Sequence, residues 1–136
     1  MPACPRPLTL ITLGSLLAAP LLAAPARAQA PAADPAARGR VLFLQCRACH
    51  GLAAGEPHKV GPTLHGIMGA KAATRPGFAN YSAALKASGL TWSDAELDRF
   101  LTAPGRAVPG TTMAFVGLAR PADREAVIAY LRSATR

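Results

Sequence analysis

Two cysteines and a histidine stand together in the first half of the chain, in the order Cys46, two residues, Cys49 and His50. Thiols at this spacing can reach the two vinyl groups on one edge of a porphyrin. The residue that follows can then place a neutral imidazole on the iron, for which it is a good ligand. The motif therefore predicts one covalent haem c, bound through Cys46 and Cys49 and ligated on one side by His50.

Two other chemistries share this cysteine spacing. A thioredoxin-like redox pair would follow a strand in a β-α-β pattern, and no such pattern is evident around the motif. A zinc site could add His58 and His65 to Cys46 and Cys49, although that spacing is compact for such a site. We prefer the haem, and we then expect His58 and His65 to lie at the surface.

The start of the chain has the pattern of an export signal. Arg6 supplies a positive charge, residues 8–24 are almost wholly apolar, and residues 26–28 read Ala-Arg-Ala. This order is typical of a secretory signal peptide that ends in a small-residue cleavage site. We predict a signal peptide over residues 1–28 and a periplasmic protein. The alternative is a retained membrane anchor facing the periplasm, which the interruption at Pro20 disfavours.

Charge and cysteine content after cleavage narrow the function. Loss of Arg6 and Arg27 leaves 13 of the 15 basic side chains against 7 acidic ones, a net charge of +6. This charge favours acidic protein surfaces or anionic lipid, and the scatter of the basic residues argues against nucleic acid. Cys46 and Cys49 are then the only cysteines, and a disulfide between them would close too small a loop to stabilise much. A chemical role for both thiols is therefore expected.

The elements that must position these residues read as helices and loops. The sequence predicts an all-α fold of about four helices and two long loops, with a flexible leader over residues 29–37 and one domain over residues 38–136. The helices are predicted to run from Asp34 as N-cap into Cys46, over residues 82–88, from a capping box at Ser93 to Pro104, and over residues 121–132. The loops, residues 51–80 and 104–119, are long enough to be functional, which suits a chain wrapped round a prosthetic group.

A low-spin haem needs a second axial ligand, for which the mature chain offers Met68, Met113, His58 and His65. Met68 follows His50 so closely that reaching the opposite face would need a tight wrap. Met113 lies in a loop punctuated by glycine and proline between two predicted helices, and such a loop can be held against the far face of the haem. We favour Met113.

The order of these motifs resembles the class I cytochromes c of mitochondria and bacteria, over about residues 38–135. The matching segments are Gly39 with Phe43, GPTLHG at 61–66, GFANYSAALKASGLTW at 77–92, PGTTMAF at 109–115 and Tyr130 in AVIAYL. The resemblance implies the class I cytochrome c fold around one haem, with His50 and Met113 as its two iron ligands.

The resemblance also implies haem contacts for five further residues, namely Pro62, Leu64, Tyr81, Trp92 and Phe115. The carbonyl of Pro62 is expected to accept a hydrogen bond from the axial histidine, and Leu64 to pack against the haem. Phe115 is expected beside the exposed haem edge. Tyr81 and Trp92 would bond a propionate, which agrees with the need of a buried O–H or N–H for a partner.

Three positions depart from the pattern of that family. Phe100 stands where many members have a tyrosine that bonds the methionine sulfur, so this sulfur should donate more strongly to iron. Thr112 replaces a lysine of the mitochondrial forms. Ala70 stands where the family often has an arginine that pairs with a propionate, and either Lys71 or Arg75 could take over that contact.

Together these features predict a one-electron carrier rather than an enzyme, because no acid–base pair or activated nucleophile is evident. A monomer is expected to shuttle electrons from a donor such as a cytochrome bc-type complex to an oxidase, a reaction centre or a reductase. The alternative is a haem protein with a labile Met113 bond that acts in ligand binding or peroxidase-like chemistry.

Overall fold

A computed structural model of the protein describes residues 34–136. The predicted signal peptide and the first part of the predicted leader lie outside the described residues. The helices are α1 Pro35–Leu42, α2 Leu44–Arg47, α3 Ala83–Ala87, α4 Asp94–Thr102, α5 Pro104–Ala107 and α6 Pro121–Ala134. Within residues 34–136 there is no strand, only an isolated bridge between Lys71 and Thr91. The all-α prediction is confirmed.

The helix count differs from the four that the sequence suggested. The first predicted helix divides at Phe43 into α1 and α2. A short helix, α5, lies inside the second predicted loop, where Pro104 occupies its first position and Pro104 O accepts from Val108 N. Proline is well suited to a helix start because it has no N–H to satisfy there. The same Pro104 that ends α4 therefore begins α5.

The first helix starts where predicted. The Asp34 side chain accepts a hydrogen bond from Ala36 N at 2.9 Å, and Pro35 stands at the first helical position. Aspartate before proline is a favoured start, because the cap satisfies a free N–H group and the proline lacks one. Residues 35–37, the end of the predicted leader, are therefore helical.

The crossing of α1 and α6 depends on a glycine. A Cβ built on Gly39 would lie 2.6 Å from Ala126 C and 2.7 Å from Tyr130 Cβ, so a larger residue cannot fit. One turn later Phe43 packs against Tyr130, with ring centroids 5.5 Å apart. Arg38 on α1 also pairs with Asp123 on α6. These contacts join the two ends of the described chain.

Helix α4 carries the capping residue that the sequence predicted. Ser93 Oγ accepts from Glu96 N at 3.2 Å. The reciprocal half of the capping box is not formed, because Ser93 N bonds Thr91 O and the Glu96 side chain pairs with Arg99. The helix buries Leu97, Phe100 and Leu101 in the core.

The long loop after the haem motif, residues 51–80, contains no helix, as predicted. Its first turn closes on Glu56, whose carboxylate accepts from Leu52 N at 2.8 Å and from Ala53 N at 3.1 Å. His58 joins two parts of the loop, since its Nε2 lies 2.8 Å from Pro76 O and its Nδ1 accepts from Thr63 N at 3.1 Å.

No helix in residues 34–136 has the length and apolar character needed to cross a membrane.

Candidate haem site

The helices and loops surround one largely apolar cavity. All nine residues that the sequence assigned to the cofactor line this cavity: Cys46, Cys49, His50, Pro62, Leu64, Tyr81, Trp92, Met113 and Phe115. They come from α2, from both long loops and from the segment before α4. The structure therefore brings together side chains that are up to 69 positions apart in the sequence.

His50 is held in one orientation. Its Nδ1 lies 2.8 Å from Pro62 O, so Nδ1–H donates to that carbonyl and Nε2 keeps its lone pair. A Cβ on Gly61 would lie 2.8 Å from His50 Nδ1, which requires glycine beside the ring. Burial, and secondarily the charge of Lys59, lower the pKa of His50, against the effect of the Pro62 bond. The imidazole is thus neutral and oriented, as an iron ligand must be.

The two thiols lie at the end of α2 and in the turn that directly follows it. Cys49 N and His50 N both donate to Cys46 O at 3.0 Å, so the chain remains coiled through the motif. Cys46 and Cys49 are half-buried and are not joined by a disulfide. Burial, and then the neighbouring Cys49, raise the pKa of Cys46. The thioredoxin-like alternative fails because residues 34–136 contain no strand that could form its β-α-β pattern.

The zinc alternative also fails. Within residues 34–136 no group of three or more histidine, cysteine, aspartate or glutamate side chains could hold a metal ion. Both nitrogens of His58 are engaged by the loop itself, and neither His58 nor His65 lines the cavity with the cysteines. Both histidines are half-buried and lie in the 51–80 loop.

Only one of the four candidates for the second iron ligand lines the cavity. Met113 does, whereas Met68 packs against the rest of the core, outside the cavity lining. The segment that carries Met113 follows α5 and is joined to it by a bond from Thr111 N to Val108 O at 3.0 Å. The cavity thus combines one imidazole and one thioether.

Polar groups occupy part of the wall otherwise formed by apolar side chains. Trp92 is 8% exposed and packs edge-on against Phe100 at 5.0 Å, and its indole N–H has no hydrogen-bond partner among residues 34–136. Burial raises the pKa of Tyr81, opposed by a backbone bond and the charge of Arg75. Arg75 and Lys71 also line the cavity. These donors and cations suit the two carboxylates that a haem c carries.

Several residues of the cavity wall were not predicted from the sequence to contact the haem. They are apolar side chains whose only signal was ordinary core periodicity or loop position: Ile67, Phe78, Leu85, Leu97, Val127 and Leu131. Nothing in their type or spacing distinguishes a side chain that packs on a cofactor from one that packs on its neighbours. Their role follows only from the tertiary fold.

A helical fold around one apolar cavity, with two thiols and a neutral histidine in its wall, defines a haem protein of the c type. A family model described as Cytochrome c matches residues 36–135. The chain belongs to the cytochrome c family. It has the class I cytochrome c fold, binds one covalent haem c with its iron, and is a haem-based electron carrier.

Individual relatives agree with this assignment. The cytochrome c2 of Rhodomicrobium vannielii is 49% identical over 104 residues, which cover 76% of this chain and 82% of that protein. The cytochrome c of Nigella damascena is 37% identical over 107 residues, 79% of this chain and 96% of that one. The solved structure of cytochrome cH from Methylobacterium extorquens is similar with a TM-score of 0.68 and 46% identity, covering 72% of this chain and 97% of that chain.

Proposed function

We propose that the protein is a one-electron carrier in which His50 and Met113 are the two iron ligands and Cys46 and Cys49 hold the haem. The observation that carries this proposal is that Met113, alone among the four candidate second ligands, lines the same cavity as His50. The bound haem supplies a one-electron Fe(III)/Fe(II) couple. The chain supplies two permanent ligands, which leave no iron position open to substrate.

The cavity residues suit this role chemically. The bond from His50 to Pro62 O holds one ligand rigidly, so it needs no rearrangement when the charge on iron changes. A methionine thioether favours the reduced state and raises the potential. Phe100 is 6% exposed and cannot donate a hydrogen bond, so it leaves the sulfur of Met113 free to donate to iron.

The other predicted contacts complete the pocket. Leu64 and Phe115 both line the cavity, which supports packing of Leu64 on the haem and a position of Phe115 beside the haem edge. Tyr81 and the unpartnered indole N–H of Trp92 are the donors for a propionate. Arg75, half-buried and close enough to Tyr81 to affect its pKa, supplies a positive charge beside them.

We place the carrier in the periplasm, on the strength of the signal-peptide pattern in residues 1–28. There it exchanges electrons with redox proteins, a cytochrome bc-type complex as donor and an oxidase, reaction centre or reductase as acceptor. The net charge of +6 after cleavage supports acidic docking surfaces on those partners.

One observation favours a second candidate, a haem protein with a labile Met113 bond. Phe100 offers the sulfur no hydrogen bond, and within residues 34–136 the backbone of residues 112–116 forms hydrogen bonds only inside the 111–116 segment. Such a protein would bind external ligands or perform peroxidase-like chemistry at the open iron position.

Visible spectroscopy of the protein matured in a periplasm separates the two candidates. The carrier should show the charge-transfer band of methionine-bound ferric iron, a clearly positive midpoint potential and no binding of carbon monoxide when reduced at neutral pH. Met113→Ala should abolish the band and allow carbon monoxide to bind, whereas the matched variant Met68→Ala should behave as wild type. Ready binding of carbon monoxide by the wild type would overturn the carrier.

A further inference from the structure

The segment that carries Met113 forms few hydrogen bonds to the rest of the described chain. Between residues 111 and 116, the single hydrogen bond to the rest of the described chain is the one from Thr111 N to Val108 O. The other bonds there, from Met113 N to Thr111 Oγ1 and from Phe115 N to Met113 O, lie within the segment. Val116 is 93% exposed. Met113 and Phe115 pack against the core, and the position of Met113 further depends on how the far end of the segment is held.

The far end is anchored to α4 through its backbone. Leu118 N donates to Leu101 O at 2.8 Å. Gly117 has a φ of +111°, and a Cβ there would lie 2.7 Å from Thr102 C, so the chain passes directly against the end of α4. These contacts fix the path of the backbone at residues 117 and 118. The carbonyl groups of Leu118 and Ala119 still need hydrogen-bond donors.

Arg124 satisfies those carbonyls. Its Nη1 donates to Leu118 O at 3.0 Å and to Ala119 O at 3.1 Å, while its Nε donates to Asp98 Oδ1 at 2.7 Å. The Arg124 side chain is only 10% exposed, whereas Asp98 is 42% exposed. A planar guanidinium can donate from different nitrogens to acceptors on opposite sides, whereas the three donors of a lysine all lie on one nitrogen. Arg124 thus joins α6, α4 and the end of the Met113 segment.

We propose that Arg124 is a positioning residue for Met113. By holding the carbonyls of residues 118 and 119, it keeps the tethered segment against the cavity and sets how readily Met113 leaves the iron. This inference rests on the proposed ligation by Met113. It assigns control over the Met113 ligand to a side chain that lies eleven residues later in the sequence.

Imidazole, which competes with methionine for ferric iron, is the probe. Arg124→Gln should bind imidazole at least tenfold more tightly than wild type, a factor of ten being about 1.4 kcal/mol. Arg124→Lys keeps the positive charge but loses the planar set of guanidinium N–H donors, so it should bind imidazole a few-fold more tightly than wild type. Should Arg124→Gln fail to fold, Arg124→Lys and Asp98→Asn carry the same comparison.

Two matched controls separate positioning from general loss of stability. Arg132→Gln removes an exposed ion pair with Asp94 between the same two helices, and Arg38→Gln removes the pair with Asp123 between α1 and α6. Neither should change imidazole affinity more than twofold, even where urea unfolding shows a loss of stability. Equal tightening in Arg38→Gln and Arg124→Gln, or none in the Arg124 variants, would overturn the inference.

The wild-type spectrum distinguishes the two failures. Without the methionine-to-iron band in the wild type, the ligation by Met113 is wrong and the proposed function fails. With the band present and both Arg124 variants unchanged in imidazole affinity, only the role of Arg124 fails.

Discussion

The cationic side chains in the cavity wall are the candidates to pair with the haem carboxylates. Lys71 and Arg75 both line the cavity, but Lys71 is exposed while Arg75 is half-buried and hydrogen-bonded to His65 O. An arginine has five donors, so most of those on Arg75 remain free for a carboxylate. Of the two residues that the sequence left as candidates to replace the absent arginine at Ala70, the structure favours Arg75.

Arg75→Gln should lower the midpoint potential, because removal of a nearby positive charge stabilises ferric relative to ferrous haem. We expect a threefold to tenfold shift in the equilibrium with a one-electron partner, tenfold being 59 mV. A stronger pH dependence of the potential should accompany it, since the propionate loses its partner. Redox titration from pH 5 to 9 measures both effects. Lys71→Gln is the matched control, and an equal shift in that variant would contradict the assignment.

Glu56 makes the stability of the first turn of the long loop depend on pH. The backbone bonds from Leu52 and Ala53, then the charge of Lys59, lower the pKa of Glu56 below its ordinary 4.5. A lowered pKa means stability that is present above the ordinary value and is lost as the pH falls through the folded-state value.

Glu56→Gln should therefore be less stable than wild type at pH 7, and the difference should shrink as the pH falls below about 4. Urea unfolding followed by circular dichroism at pH 7, 5 and 3 measures this. A difference between the two proteins that stays constant across this range would exclude the carboxylate as the cause.

At the scale of elements, the crossing of α1 and α6 rests on backbone contact at Gly39. Gly39→Ala should lower the free energy of unfolding by about 1–3 kcal/mol, because overpacking outweighs the roughly 1 kcal/mol that alanine adds to helix propensity. Gly105, which has nothing within 4 Å of a built Cβ, provides the control. Gly105→Ala should leave stability unchanged or raise it in the same urea experiment. Equal behaviour of the two variants would show that the crossing tolerates a side chain.

Over the whole molecule, the acidic side chains are largely neutralised by neighbours. Five of the seven carboxylates form ion pairs within the described chain, namely Glu56, Asp94, Glu96, Asp98 and Asp123. The net positive charge is therefore carried by cations that have no such partner within residues 34–136. The exposed pairs among them, such as Arg99–Glu96 and Arg132–Asp94, stabilise little, and their main effect is on the electric field around the protein.

The electric field of this net positive charge should affect the rates of electron transfer to small charged oxidants. Oxidation by an anionic complex such as ferricyanide should slow as ionic strength rises from 10 to 200 mM, because salt screens the attraction. Oxidation by a cationic cobalt complex should speed up over the same range. Stopped-flow measurement of both decides the matter, and the same trend with both oxidants would mean that net charge does not govern encounter.

The sequence alone determined the chemistry that depends on local spacing. Cys46, Cys49 and His50 lie within five residues, so their relative geometry follows from the local backbone and predicts the haem without knowledge of the fold. The helix starts at Pro35 and Asp94 were likewise predictable, because Asp34 and Ser93 act on N–H groups two or three residues away. The class of fold followed from the same local signals.

Only the tertiary structure decided what depends on distant residues meeting. The sequence already favoured Met113 over Met68, but only the tertiary structure shows that Met113, and not Met68, lines the cavity with His50. The preference for Arg75 over Lys71 depends on burial, which spacing cannot reveal. The link from Arg124 to the carbonyls of the Met113 segment joins backbone groups that carry no sequence signal at all. Local hydrogen bonds and motif spacing depend on neighbouring residues. The position of Met113 in the cavity and its link to Arg124 depend on packing between elements that are far apart in the chain.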